Sequence, residues 1–165
     1  MRMIDPILQE LAQEGATTRK FLEQVPGDKL SWKPHEKSLS LGQLSRHIAT
    51  IPCFVAEMVK QERFEFPESL EFQSAETAEE LAATLEEGLK KAREILGQFD
   101  DQALMVTWKL MKGGKEIMAL PKIVVIRSVM LNHWYHHRGQ LGVYLRLLGA
   151  KVPSSYGPSA DENPM

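Results

Sequence analysis

Between Leu131 and Leu145 the chain reads LNHWYHHRGQLGVYL, a stretch that holds His133, His136 and His137. The whole chain has five histidines. A neutral imidazole can ligate a divalent metal, and the same ring exchanges protons near neutral pH. His133 and His137 stand four apart, so on a helix they lie one above the other on one face. That spacing lets two imidazoles grip a single ion. Val129, Met130, Gln140, Leu141 and Tyr144 share or border this face, which marks it as an inner face. One buried histidine is usually a hydrogen-bonded core residue. An inward pair at i, i+4 is harder to explain that way, because each ring needs a partner and neither can be charged cheaply.

A catalytic zinc site typically takes three protein ligands and keeps one position for water or substrate. His47 is the candidate third ligand. It follows Leu44 by three and precedes Ile48, so it borders an apolar stripe on another helix. Face-to-face packing of the two helices would bring the three rings together. His136 lies on a flanking line and is expected beside the ligands or at the surface. Gln140, three after His137, is a candidate to orient an imidazole or a water through its amide, although a glutamine on a helix surface is the commoner case. His35, beside Pro34 in a loop, is expected to be solvated. Arg138 is expected in a structural ion pair. Asp161 and Glu162 sit in the tail and are poor candidates for ligand duty. Gly15 and Thr18, small residues inside a helical stripe, either leave a cavity or allow close packing.

Other chemistries lack their residues. Cys53 follows His47 by six, about 240° round a helix, so it points away from that face and is expected in the core or an interface. The chain has no G-x-S-x-G elbow, no glycine-rich phosphate loop and no CxxC pair. Trp134 occupies the place of the glutamate in H-E-x-x-H, which argues against a zincin protease.

The elements that must carry these residues read as helices. The first runs from about Ile4 to Val25, with Ile4, Leu8, Leu11, Gly15, Thr18, Leu22 and Val25 in one stripe. Pro26-Gly27 ends it. A second follows the capping box of Ser40 and Gln43 and runs to about Phe64, with Leu41, Leu44, Ile48, Ile51 and Val55 inward. Pro52 interrupts it and should kink it. Thr77 with Glu80 is a second capping box. It opens a third helix reaching Phe99, with Leu81, Leu85, Leu89, Ala92, Leu96 and Phe99 as core positions. The stretch MVTWKLMKGGKEIMAL reads as a short β-hairpin about Gly113-Gly114. Pro121 then starts a fourth helix through Leu148, closed by Gly149. Four such helices in one chain predict an all-α four-helix bundle, with the hairpin between the third and fourth helices.

Composition bounds the rest. The 165 residues suggest one domain, 1–165, large enough to hide roughly 70% of its unfolded surface. Hydrophobic residues are 43%, charged residues 25%, and the formal net charge is −2. No basic patch asks for nucleic acid. With one cysteine there is no intrachain disulfide, which fits a reducing compartment. No apolar run is long enough to span a membrane, and the N-terminus lacks a signal-peptide core. The expected location is cytoplasmic.

Two stretches, WKPHEKSLSLGQLSRHIATIP and LNHWYHHRGQLGVYLRLLGAKVPSSYGPSADE, resemble the DinB-like superfamily of metal-dependent enzymes. The resemblance extends over nearly the whole chain. It implies a bundle of up-down-down-up connectivity, often a homodimer, and a divalent metal, commonly nickel or zinc. Carried over by position, the ligands are His47, His133 and His137. Relatives of this kind include thiol-dependent S-transferases and an isomerase using low-molecular-weight thiols. Others are described as hydrolases or DNA-damage-inducible proteins. Two functions therefore stay open: an enzyme of thiol S-transferase or hydrolase type acting on a small molecule, and a non-catalytic, metal-binding dimeric stress protein.

Overall fold

Ser40 opens the helix that carries His47, and its backbone N–H and hydroxyl are both engaged by one neighbour. Gln43 Oε1 accepts from Ser40 N at 2.9 Å, and Gln43 N donates to Ser40 Oγ at 3.2 Å. This capping box satisfies amides that a helix start leaves free. In the computed structural model, which describes residues 1–163, the molecule is mostly helical with a small three-stranded sheet. The elements in order are α1 (Ile4–Leu22), α2 (Leu41–Lys60), β1 (Arg63–Glu65), α3 (Glu80–Leu96), a short α4 (Asp101–Met105), β2 (Thr107–Lys112) and β3 (Lys115–Pro121). A helical run then continues through α5 (Lys122–Val125), a π-helical segment (Ile126–Asn132) and α6 (His133–Leu147).

The helices pack in a closed set of contacts. α2 lies against α3 and α6, and α1 lies against the same two helices. The core between them holds Leu11, Leu22, Leu44, Ile48, Val55, Leu81, Leu85, Met130, Leu141 and Leu145. The inner face of α1 is wider than a single stripe, since Ile7, Glu14 and Phe21 are buried there while Leu8 is only partly so. On α3, Gly88 is buried where the helix approaches α2, and Leu89 and Phe99, expected in the core, are partly exposed.

Both fully buried indoles serve α2. Pro52 has no N–H, so the Ile48 carbonyl one turn earlier loses its helical partner. Trp134 Nε1 donates to that carbonyl at 2.9 Å. The Met58 carbonyl is left over where the helix stops, and Trp108 Nε1 donates to it at 3.1 Å.

β2 and β3 pair antiparallel, with Gly113 and Gly114 between them at φ of 56° and 73°. Two successive left-handed residues are what a two-residue turn of this twist demands, and glycine adopts them without steric cost. The sheet also has a strand that the sequence reading missed. β1 pairs parallel with β2, in a stretch expected as the end of the second helix. α2 stops at Lys60 instead of Phe64. The third helix begins three residues after Thr77 and ends three before Phe99, yet Glu80 N still donates to Thr77 Oγ1 at 3.4 Å.

Candidate metal centre

α2 contributes His47 and α6 contributes His133 and His137. Their ligand nitrogens all lie within 4.8 Å of one another. Ring centroids are 5.2 Å apart for His47 and His133, 4.7 Å for His47 and His137, and 4.5 Å for His133 and His137. Helical geometry accounts for the last pair, since four residues bring two side chains onto one face. The packing of α2 on α6 accounts for the third ring. Among the described residues no aspartate, glutamate or cysteine joins the cluster.

Protons on these rings are set by what lies behind them. Gln140 Oε1 accepts from His137 Nδ1 at 2.8 Å, and Gln140 Nε2 donates to His136 Nε2 at 3.1 Å. His137 therefore keeps its proton on Nδ1 and a lone pair on Nε2. His133 Nδ1 is buried without a well-formed hydrogen bond, and the Val129 carbonyl favours a proton there. With its proton on Nδ1, His133 too would present a lone pair on Nε2. The two Nε2 atoms face each other at 2.8 Å. A proton on either atom makes this a hydrogen bond; with a proton on neither, the two lone pairs repel, and a cation between them and His47 would turn repulsion into attraction. The donor set, three neutral imidazoles backed by acceptors, thus fits a divalent ion.

Burial keeps the rings neutral. It pushes the His47 imidazole down to about 4, helped by the two neighbouring histidines. Burial also lowers His133 and His137, opposed at His133 by the Val129 carbonyl and at His137 by Gln140. Near neutral pH all three nitrogens are free to bind a metal without first losing a proton.

The segment that leads into α6 is irregular where it matters. His133 N donates to Ser128 O, five residues back, so the last wide turn of the π-helical segment delivers the first histidine. Such turns concentrate at functional sites. A regular fourth helix was expected, and the 3.6-residue reading carries no sign of this insertion.

On the other side, the Phe72 ring meets His47 edge-on at 5.0 Å. Gln43 Nε2 donates to the Phe72 carbonyl at 2.9 Å, so the residue that caps α2 also holds the loop against the site. Phe72 escaped the sequence reading because a loop has no periodicity to point inward. The Gln43 side chain was legible only as a cap.

The other candidates sit elsewhere. His136 is exposed and reaches the cluster through Gln140. His35 is exposed, and its Nδ1 accepts from Lys37 N at 3.2 Å. Cys53 is half-buried, flanks Gly88, and burial raises its thiol above the usual range. Asp161 Oδ2 binds Arg146 Nη2 at 2.7 Å and accepts from Val152 N at 2.9 Å. Glu162 accepts from Ser154 N at 2.7 Å. Both tail carboxylates hold the tail down and are not part of the histidine cluster. Arg138 pairs with Glu14 at 2.6 Å, buried between α6 and α1, and donates to Thr18 Oγ1 at 3.1 Å. Beside Gly15, a Cβ would stand only 2.6 Å from Leu89 Cδ1. Gly15 and Thr18 therefore admit neighbours and do not open a cavity.

The comparisons agree with this architecture. A DinB-like protein from Bacillus subtilis superposes with a TM-score of 0.70 at 24% identity, covering 98% of this chain and 100% of its own. One from Bacillus cereus gives 0.70 at 22%, covering 93% and 97%. A DinB family protein from Exiguobacterium sibiricum gives 0.57 at 18%, covering 90% and 94%. At these identities the likeness speaks for the fold. No curated protein matches the chain. The DinB family model matches residues 2–164, and the chain belongs to the DinB family.

Proposed function

We propose that the protein is a metal-dependent enzyme whose centre is held by His47, His133 and His137, in a four-helix bundle of up-down-down-up connectivity. The observation that carries the reading is the convergence of three ring nitrogens within 4.8 Å, two of them Nε2 atoms 2.8 Å apart, with no acidic or thiol side chain in the cluster among the described residues. A bound zinc or nickel ion would retain its full positive charge against neutral ligands and draw a thiol or water towards its conjugate base at neutral pH. The chain's own residues do the rest. Gln140 fixes the His137 tautomer and ties that ring to the exposed His136. Phe72 shields the His47 side from water. With Cys53 remote from the cluster, the sulfur of an S-transfer reaction would come from a low-molecular-weight thiol, with a small electrophile as co-substrate. A hydrolase would use water in the same place.

A second reading is a non-catalytic, metal-binding dimeric stress or damage-inducible protein acting in the cytoplasm. Val143 and Leu147, exposed one turn apart on α6, favour a surface for association. Neither reading needs nucleic acid or a membrane, and among the described residues no helix is long and apolar enough to cross one.

Metal analysis of tag-free protein, followed by turnover of a thiol panel with a generic electrophile, tests the choice. The enzyme reading expects one divalent ion per chain, lost in His133→Ala, and thiol consumption that disappears with it. Stoichiometric metal without turnover of any thiol, ester or amide would favour the second reading. No metal uptake would sink both.

A further inference from the structure

We propose that Pro52 and Trp134 form a latch that sets the spacing of the metal centre. The proline withholds an N–H from the Ile48 carbonyl, and the Trp134 indole takes that carbonyl and fixes α6 on α2 beside the histidines. The inference rests on the metal-centre reading above.

In a regular helix the N–H of residue 52 would bond to the carbonyl of residue 48. Proline cannot supply it, and its ring pushes that carbonyl outward. Ile48 and Trp134 are both 0% exposed, so water cannot replace the missing donor. The indole does so at 2.9 Å. The positions are telling. Ile48 follows His47 directly, and Trp134 follows His133 directly. The bond thus joins the residues next to the ligands on the two helices, whose rings lie 5.2 Å apart.

Among the described residues this is the one hydrogen bond between α2 and the helical run 122–147. The remaining contact there is apolar packing around the imidazoles. Apolar burial is non-directional and tolerates sliding, whereas an N–H···O bond constrains both distance and angle. A site that must bring ligands from two helices to one ion needs the second kind of constraint. Pro52 and Trp134 are positioning residues, acting through the placement of His47 relative to His133 and His137.

The test measures Co2+ affinity by chelator competition, and thermal stability of the metal-free protein, for wild type, Pro52→Ala, Trp134→Phe and the double variant. Pro52→Ala returns an N–H to the Ile48 carbonyl and turns it back into the helix. Its metal-free form should melt no lower than wild type, because proline is unfavourable inside a helix, yet its Co2+ affinity should fall about tenfold or more, as for lost ligand-orienting contacts. Trp134→Phe should lose a similar factor, and the double variant little more than the larger single loss, since both act on one bond. A folded Pro52→Ala protein that binds Co2+ within twofold of wild type overturns the latch. A Trp134→Phe protein that melts lower with unchanged affinity overturns it too, because the indole is then structural only. If Trp134→Phe does not fold, Pro52→Ala decides alone. Wild-type protein that takes up no Co2+ would instead sink the metal centre, and the latch with it.

Discussion

At the scale of single residues, the three adjacent-looking histidines have separate jobs. His133 and His137 converge with His47, and His136 stands outside, tied to His137 by the Gln140 amide. The convergence was legible because helical spacing decides which side chains share a face, and imidazoles on an inner face demand a reason. The role of Gln140 was also within reach, since three residues on a helix place it beside His137. Phe72 was not, because nothing in a loop's sequence says which side chain turns inward. Gln140 yields a specific expectation. Gln140→Ala removes the acceptor behind His137 Nδ1 without touching a ligand. Zinc affinity measured by chelator competition should fall about 10–100-fold, while the melting temperature of the metal-free protein changes little because Gln140 is exposed.

At the scale of elements, the helices and the proline inside α2 were readable, and the wide turn before His133 and the strand β1 were not. The Ser40 capping box and the stripe of α2 follow local rules, and they hold. The π-helical segment before His133 leaves no mark in a hydrophobic period of 3.6. β1 is three residues long and gains its partner, β2, from far along the chain. Such pairing is decided by tertiary contact and not by local preference. The close approach of α2 to the loop that carries Phe72 is likewise a tertiary fact. Gly42 N donates to Leu30 O at 2.8 Å, and Ala75 N donates to Gly42 O at 3.2 Å. A Cβ at this position would stand 2.2 Å from Ser74 Oγ and 3.1 Å from Leu30 O. Gly42→Ala should therefore displace the loop and cost about 1–3 kcal/mol in urea denaturation, as overpacking usually does. Because the loop carries Phe72, the same variant should leave His47 more open to solvent. That is measurable as a higher His47 pKa by NMR titration of the metal-free protein.

At the scale of the whole molecule, burying three neutral imidazoles links folding to pH. The folded protein holds His47 at about 4 and lowers His133 and His137, whereas the unfolded chain protonates near 6.5. Between these values the unfolded state binds more protons, so acid favours unfolding. The contribution is complete above pH 6.5 and drains away as the pH falls towards 4. Thermal melts of the metal-free protein should therefore drop between pH 7 and 4.5, and His47→Gln should flatten that slope. A drop that sets in only below pH 4.5 would point to the carboxylates held low by their partners, such as Asp161 and Glu162.

The proposed metal centre requires an ion, held by the three histidines, that an outside thiol can reach. Titrating Co2+-loaded protein with 2-mercaptoethanol tests it most directly, because a thiolate joining the ion adds a sulfur-to-cobalt charge-transfer band in the near ultraviolet. The expected result is one such band, saturating at one thiol per chain and absent from His133→Ala. A Co2+ spectrum that ignores the thiol at every concentration would mean a closed centre, and would contradict the proposed thiol chemistry.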